Sequence, residues 1–476
     1  QGWSNLLVHV LNGLENALSG ISRLIAVTKF NRFKLTGAGA AGHRSPSHHA
    51  LIEKNINFQR GVTATVKNLS RDDINDDWHV KPNCGTSHTH CMVFFHLALG
   101  LLEAQPLDAY LAKPDATYTF KAISASETSM VSQTWRGHKW SHTIRRSDPT
   151  RVTQNGVAIL LITGDRVDRA DLPYSEAIAK AAGLPVFTLF DIPNQPLWGK
   201  VEDDLIAHTF ENFMKSGESD WPLLLPMTKA ALRAMDTVTA TTKNSKNPIR
   251  KFVVTGASKR GWTTWLVGAS GNSRVIGIAP MVFDNLNFKA QLDHQRKLWG
   301  RLSPMLADYS ERGLDQVLDT EPGRKLLAMV DPYAYKRRYG VPILNVVGTN
   351  DPYWAPDSHQ LYRDLSGQVM LVVPNRGHNL GGDEIPGLAE FAKRVASGDK
   401  VPVLEAGFDG LKYSVSSGSR VSCWIAESET MDFTKSVWKA TGSNYKGTLP
   451  PSKRNRAVFF KTANLTTGVT LIPRSK

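Results

Sequence analysis

Residues Phe252-Val-Val-Thr-Gly-Ala-Ser-Lys-Arg-Gly-Trp-Thr-Thr-Trp265 run from an apolar strand pattern through Gly256-Ala257-Ser258 into helical spacing. Strand, sharp turn and helix are the context of a nucleophile elbow, in which the turn pushes a serine out at the carboxyl end of a strand. Small residues beside the turn let strand and helix approach. The backbone N–H of Lys259 then lies at a helix N-terminus, where negative charge is favoured. The motif departs from G-x-S-x-G, because Arg260 stands second after the serine and glycine follows at 261. The alternative is an ordinary strand–helix turn capped by Ser258.

A nucleophilic serine needs a base and an orienting acid, and in this fold the chain order is Ser, acid, His. The apolar run Ile343–Val347 ends in Gly-Thr-Asn-Asp351, and Val369–Val373 leads to Pro-Asn-Arg-Gly-His378. Ser258, Asp351 and His378 therefore stand in the expected order, 93 and 27 residues apart, each after a predicted strand. Asp284, after the apolar run ending at Val282, is the alternative acid, and Asp331 a weaker one. The two candidate oxyanion donors are the amides of Lys259 and of the Gly164-Asp165-Arg166 loop; Asp165 and Arg166 stand where many such folds have a glycine pair. Lys259 and Arg260 either receive an anionic substrate group or pair with carboxylates.

Around these positions strands alternate with helices, which means a mostly parallel sheet covered on both faces, an α/β-hydrolase-type fold. Strand patterns are Gly156–Gly164, Val186–Ile192, Lys251–Thr255, Val275–Val282, Ile343–Val347 and Val369–Val373. Helical spacing covers Ser175–Ala182, Asp203–Met214, Met227–Val238, Thr263–Ala269 and Gly387–Ala396. This domain spans 106–400. From 401 to 476 short β-rich runs between Gly, Ser, Asn and Pro turns predict a small all-β module of sandwich type.

Residues 1–105 read as a leader or pro-segment, or as part of a larger fold. The apolar run 91–102 has the length of a signal-peptide core, or is a buried helix. Cys84 and Cys91 are close enough in sequence to pair, leaving Cys423 alone. Eight of the 14 histidines fall in the first hundred residues, but His88 and His90 form no familiar metal signature, and no metal or other cofactor is implied. The net charge of +14 lies in short clusters such as Arg145-Arg146 and Lys336-Arg337-Arg338, which read as solvated surface rather than a nucleic-acid site. No apolar run is long enough to span a membrane. Substrates in view are a small molecule, a peptide or a glycan.

Longer strings sharpen the reading. DIPNQPLWG (191–199), the run 202–238 from EDDLIAHTF to RAMDTV, FVVTGASKRGWTTW (252–265), VDPYAY (330–335) and GTNDPYWAPDSHQLY (348–362) occur in order. On these the chain, from about Leu107 onward, resembles the PhoPQ-activated pathogenicity-related proteins of the α/β-hydrolase superfamily, and also secreted repressors of cell proliferation. The resemblance implies a secreted protein with Ser258 as nucleophile, Asp351 as acid and His378 as base, and it implies no particular substrate. It marks Ile192–Pro196, Trp221 and Lys229 as hallmarks without assigned roles. Asn194 and Gln195 of that loop join Arg260 as candidate substrate-site residues. Two functions fit: a secreted hydrolase forming an acyl-enzyme from an ester or amide, or a signalling or binding protein on the same scaffold.

Overall fold

Val157–Ile162 (β4) is buried at every position and alternates between two cores. Ala158, Leu160 and Ile162 face one core; Val157, Ile159 and Leu161 face the other. A strand apolar on both sides must sit inside a covered sheet. The computed structural model describes residues 106–475 apart from 167–171, 418–419 and 443, so the leader, the 91–102 run and the Cys84–Cys91 pair lie outside it. Its main sheet has nine strands in the order β1-β2-β3-β5-β4-β6-β7-β8-β9. Beyond β4 these are Thr119–Ala122 (β1), Glu127–Trp135 (β2), His138–Ser147 (β3), Val186–Leu189 (β5), Lys251–Ala257 (β6), Val275–Met281 (β7), Ile343–Gly348 (β8) and Gln368–Val373 (β9). The six strands from β5 to β9 in that order are parallel, and β1 to β3 are antiparallel. This is the mostly parallel α/β sheet that the sequence predicts.

Helices Leu172–Ala182 and Ile385–Ser397 cover one face; Glu202–Ser216, Leu224–Thr242 and Lys259–Ala269 cover the other. From β4 the chain winds to β5 on one side and then to β6 on the other. Strand order reverses there, so a crevice opens at the carboxyl ends of β4 and β6, the place where such sheets bind ligands.

Two features of the main sheet differ from the sequence reading. The β5 pattern ends at Leu189 rather than Ile192, because the chain turns away at Asp191, whose φ is 61°. The hairpin β2–β3 was not visible as strands. Its turn residues Arg136 and Gly137 both have positive φ, as a tight hairpin requires. Its inward side carries Ser132, Gln133 and His142, which satisfy one another and their neighbours instead of being apolar. Ser132 Oγ lies 2.9 Å from His142 Nε2, and Gln133 accepts from Tyr110 and donates to the Pro226 carbonyl. Burial pushes His142 down to about 4, so it is neutral.

After residue 400 the chain makes two antiparallel sheets. One is Glu405–Asp409 (β10), Lys412–Ser416 (β11) and Lys446–Thr448 (β14); the other is Lys439–Ala440 (β13), Ser422–Ser428 (β12), Asn455–Lys461 (β15) and Thr470–Ile472 (β16). β10 and β14 had no strand signal. The second sheet is packed on both sides. Cys423, Val458 and Phe460 meet β11, while Ala426, Ala457 and Phe459 meet Met370 and Val372 of β9. Among the described residues a bridge from Met370 to Thr466, and a hydrogen bond from Val372 N–H to Thr466 Oγ1 at 2.8 Å, tie this region to the edge of the main sheet.

Most of the basic cluster residues named above have a carboxylate partner: Arg145 pairs with Glu127, Arg146 with Asp148, Lys336 with Asp364 and Arg338 with Asp108. Among the described residues no helix is long and apolar enough to cross a membrane, and no His/Cys/Asp/Glu group is arranged to hold a metal.

Candidate active site

Ser258 stands between β6 and the helix Lys259–Ala269 with φ 58° and ψ −123°. A non-glycine residue held there is strained, and the surroundings fix it. Ser258 N–H donates to the Met281 carbonyl at 2.9 Å, and Trp262 N–H donates to the Ser258 carbonyl at 2.9 Å. The two glycines explain the unusual spacing. A Cβ on Gly256 would come within 2.8 Å of the Arg260 carbonyl oxygen, and one on Gly261 within 2.5 Å of the Met281 carbonyl oxygen. Helix and strand therefore touch at Gly261, and the side chain at position 260 is free to leave the turn.

The loops after β8 and β9 bring the other two groups to Ser258. His378 Nε2 lies 2.8 Å from Ser258 Oγ, and His378 Nδ1 lies 2.9 Å from Asp351 Oδ2. Asp351 is 4% exposed, and its other oxygen accepts from Tyr353 N–H at 2.9 Å. The Tyr353 ring lies on the imidazole, 4.3 Å between centroids, and covers one of its faces. The arrangement is a hydroxyl, an imidazole that can take its proton, and a buried carboxylate that fixes the imidazole.

Residues 103–434 match the family described as PhoPQ-activated pathogenicity-related protein. The chain belongs to this family. Autocrine proliferation repressor protein A of Dictyostelium discoideum is 33% identical over 309 residues, which are 59% of this chain and 62% of that relative. This PhoPQ-related chain thus spans under two thirds of that relative's length. Among solved structures, an acetyl xylan esterase from Paenibacillus sp. R4 aligns with TM-score 0.43 and 15% identity, covering 70% of this chain and 100% of the esterase. A glucuronoyl esterase from Caldicellulosiruptor kristjansonii aligns with TM-score 0.40 and 12% identity, covering 60% and 81%. The hydrolase-type fold rests on the strand order of the main sheet, not on these distant likenesses.

The remaining candidates of this PhoPQ-related protein fall in different places. Lys259 has its backbone N–H at the helix start, where the first four N–H groups lack intrahelical partners. Its ammonium reaches back to 3.4 Å from Ser258 Oγ and pairs with Asp203 at 2.7 Å and Glu202 at 3.4 Å. Asp203 also accepts from Tyr309 at 2.9 Å. Asp165 is exposed, and its amide donates to Thr163 Oγ1 at 3.1 Å, so that N–H is engaged within its own loop.

Arg260 is 8% exposed and bonds to Glu202 with both terminal nitrogens, at 2.6 and 2.8 Å, and to the Ile192 carbonyl. Burial opposes ionisation of Glu202, but the hydrogen bonds and charge of Arg260, helped by Gln195 and Lys259, hold its carboxyl at about 2. Gly164 leaves the room for this guanidinium, since a Cβ there would overlap it. Gln195 donates to Glu202 at 2.6 Å and accepts its N–H at 2.8 Å, while Asn194 bonds both backbone groups of Ser141. Asn194 and Gln195 line a surface cleft with His138 and Arg166, apart from the cavity that reaches Ser258. The hallmark loop is thus tied into the scaffold through Arg260 and Glu202. Of the other hallmarks, Lys229 donates to the Lys113 carbonyl at 2.7 Å, and Trp221 packs edge-on against Trp135 under the Arg136 guanidinium.

Asp284 does not touch His378. It is 2% exposed and accepts from Tyr362 and from Asn345 Nδ2. Burial drives its carboxyl up from 3.8 to about 7, against those hydrogen bonds. The folded protein therefore keeps a proton that the unfolded chain releases near pH 4. Stability from this group is full below that pH and is lost as pH rises through about 7. Asp284→Asn keeps the shape and cannot ionise. Urea unfolding at pH 5 and pH 8 should show the variant losing less stability between the two than wild type, by about 2 kcal/mol. An unchanged pH trend would place that titration elsewhere.

One contribution had no sequence signal. The β sheets after residue 400 supply none of Ser258, Asp351 and His378, but they hold the loops that carry two of them. Asn350, next to Asp351, donates to the Thr434 and Ser436 carbonyls at 3.1 and 2.8 Å. Asn375, three residues before His378, donates to the Trp438 carbonyl at 3.0 Å and accepts its N–H at 2.8 Å. Both asparagines read as loop residues, and their partners lie more than sixty residues away.

Proposed function

We propose that this protein is a serine hydrolase that cleaves an ester or amide through a Ser258–His378–Asp351 triad and an acyl-enzyme. The observation that carries the reading is the unbroken hydrogen-bonded chain from Asp351 through His378 to Ser258, mounted on a strained elbow at the crevice of the sheet. In this mechanism His378 Nε2 takes the Ser258 proton as Oγ attacks the substrate carbonyl carbon. Negative charge gathers on the former carbonyl oxygen and is met by the Lys259 N–H and the positive end of its helix. Asp351 stabilises the imidazolium, which then hands its proton to the leaving alcohol or amine. Water, deprotonated by His378, attacks the acyl-enzyme and frees the acid.

A second reading is supported by the name of the Dictyostelium relative, a proliferation repressor: the scaffold serves as a signalling protein and the three residues are retained without turnover. Covalent labelling by a serine-directed fluorophosphonate separates the two. We further propose that the protein is secreted, on the apolar run 91–102, which lies outside the described residues.

A further inference from the structure

A cavity of about 90 Å³ opens beside Ser258 and Lys259 and runs under the segment 302–330. Its walls are mostly apolar, with Phe210, Trp262, Phe283, Phe288, Leu318 and Val330 among them. The volume is smaller than the ~150 Å³ of an apolar cavity that accepts benzene, so it suits roughly four carbon atoms. Charge at its mouth is already balanced. The Lys259 ammonium is paired with Asp203 and Glu202, and the Asp315 carboxylate on the wall is paired with Arg296 at 2.7 Å. A carboxylate entering here would meet Asp203 and Asp315, while the lysine on the wall already has its partners. Two side chains of the lining carry a buried oxygen without a hydrogen-bond partner among the described residues, Asp315, whose other oxygen holds Arg296, and the uncharged Asn285. Asn285 is 8% exposed, lines the cavity, and its amide oxygen has no hydrogen-bond partner among the described residues. A buried amide oxygen left unpaired is costly, which marks Asn285 as a position for a ligand group.

We infer that this cavity receives the acyl half of the substrate, and that this half is short, uncharged and apolar except for one hydroxyl presented to Asn285. A hydroxyl both donates and accepts, so it satisfies either end of the amide. The inference rests on the hydrolase reading for the chemistry after binding, but the fit of the group to the cavity is independent of turnover.

The test uses p-nitrophenyl esters with one leaving group and varied acyl groups. For wild type, kcat/KM should rise about fourfold per methylene from acetyl to butyryl, the gain from burying each carbon. Octanoyl should fall at least about tenfold below butyryl because the cavity is full. The 3-hydroxybutyryl ester should exceed butyryl by about tenfold, and Asn285→Leu should remove that advantage, so that the ratio of the two esters measured on the same variant falls to about one. The hemisuccinyl ester should be the poorest. Leu318→Ala, at a half-buried wall position, should move the optimum to longer chains. Calorimetric binding of the same esters to Ser258→Ala should give the same order.

A series that climbs to octanoyl, or a hydroxyl advantage that survives Asn285→Leu, would overturn the inference. Turnover without acyl preference would overturn it and leave the triad standing. The expected binding order without turnover would support the cavity's ligand and overturn the triad.

Discussion

Ser258→Ala should lose ester turnover by on the order of 10⁶-fold, the effect of removing the nucleophile from a set that acts as a unit. Among the described residues no other side chain hydrogen-bonds the His378 ring, which is held between Ser258 and Asp351 at 2.8 and 2.9 Å. The variant should stay folded. Ser258 is only partly buried, its backbone strain is the same for alanine, and loss of one hydroxyl changes stability by about 1 kcal/mol. Turnover of a short activated ester, measured with thermal unfolding as the control, checks both halves. Residual activity within tenfold of wild type would mean that hydrolysis occurs elsewhere.

Asp351→Asn should lower kcat by about 10³–10⁴-fold. The reason lies in which atom faces the histidine. Tyr353 N–H already donates to Asp351 Oδ1, so an asparagine there keeps its carbonyl oxygen on Tyr353 and turns its NH₂ toward His378 Nδ1. Nδ1 must then accept, which puts the ring proton on Nε2, where it points at Ser258 and blocks proton removal. Substrate binding does not involve Asp351, so KM should change little. A loss under tenfold would show that Asp351 does not set the tautomer. The alternative acid makes the opposite comparison: Asp284→Asn should leave kcat near wild type while changing the pH dependence of stability.

Strands β4, β6 and β8 were legible because a strand covered on both faces is apolar at nearly every position. Ser258, Asp351 and His378 were legible because each directly follows such a strand. The hairpin β2–β3 was not, since Ser132, Gln133 and His142 are buried by pairing rather than by hydrophobicity. Arg260 read as a charge near the nucleophile, but whether it faces substrate or scaffold depends on Glu202, 58 residues away in sequence. The wall of the cavity comes from an irregular segment around Leu302–Leu318, whose scattered leucines show neither strand nor long helical periodicity. The clamps at Asn350 and Asn375 depend on backbone carbonyls of a distant module, and a carbonyl has no sequence signal.

The most direct measurement of the central claim is reaction with a fluorophosphonate, with mass spectrometry of the modified peptide. An activated serine displaces fluoride and forms a stable phosphonyl ester, whereas an ordinary surface serine does not react. The triad predicts one adduct per chain, located on Ser258, with ester turnover falling in step with labelling, and no adduct in Ser258→Ala or after acid unfolding. An unlabelled native protein, or an adduct on another residue with turnover unaffected, would contradict it.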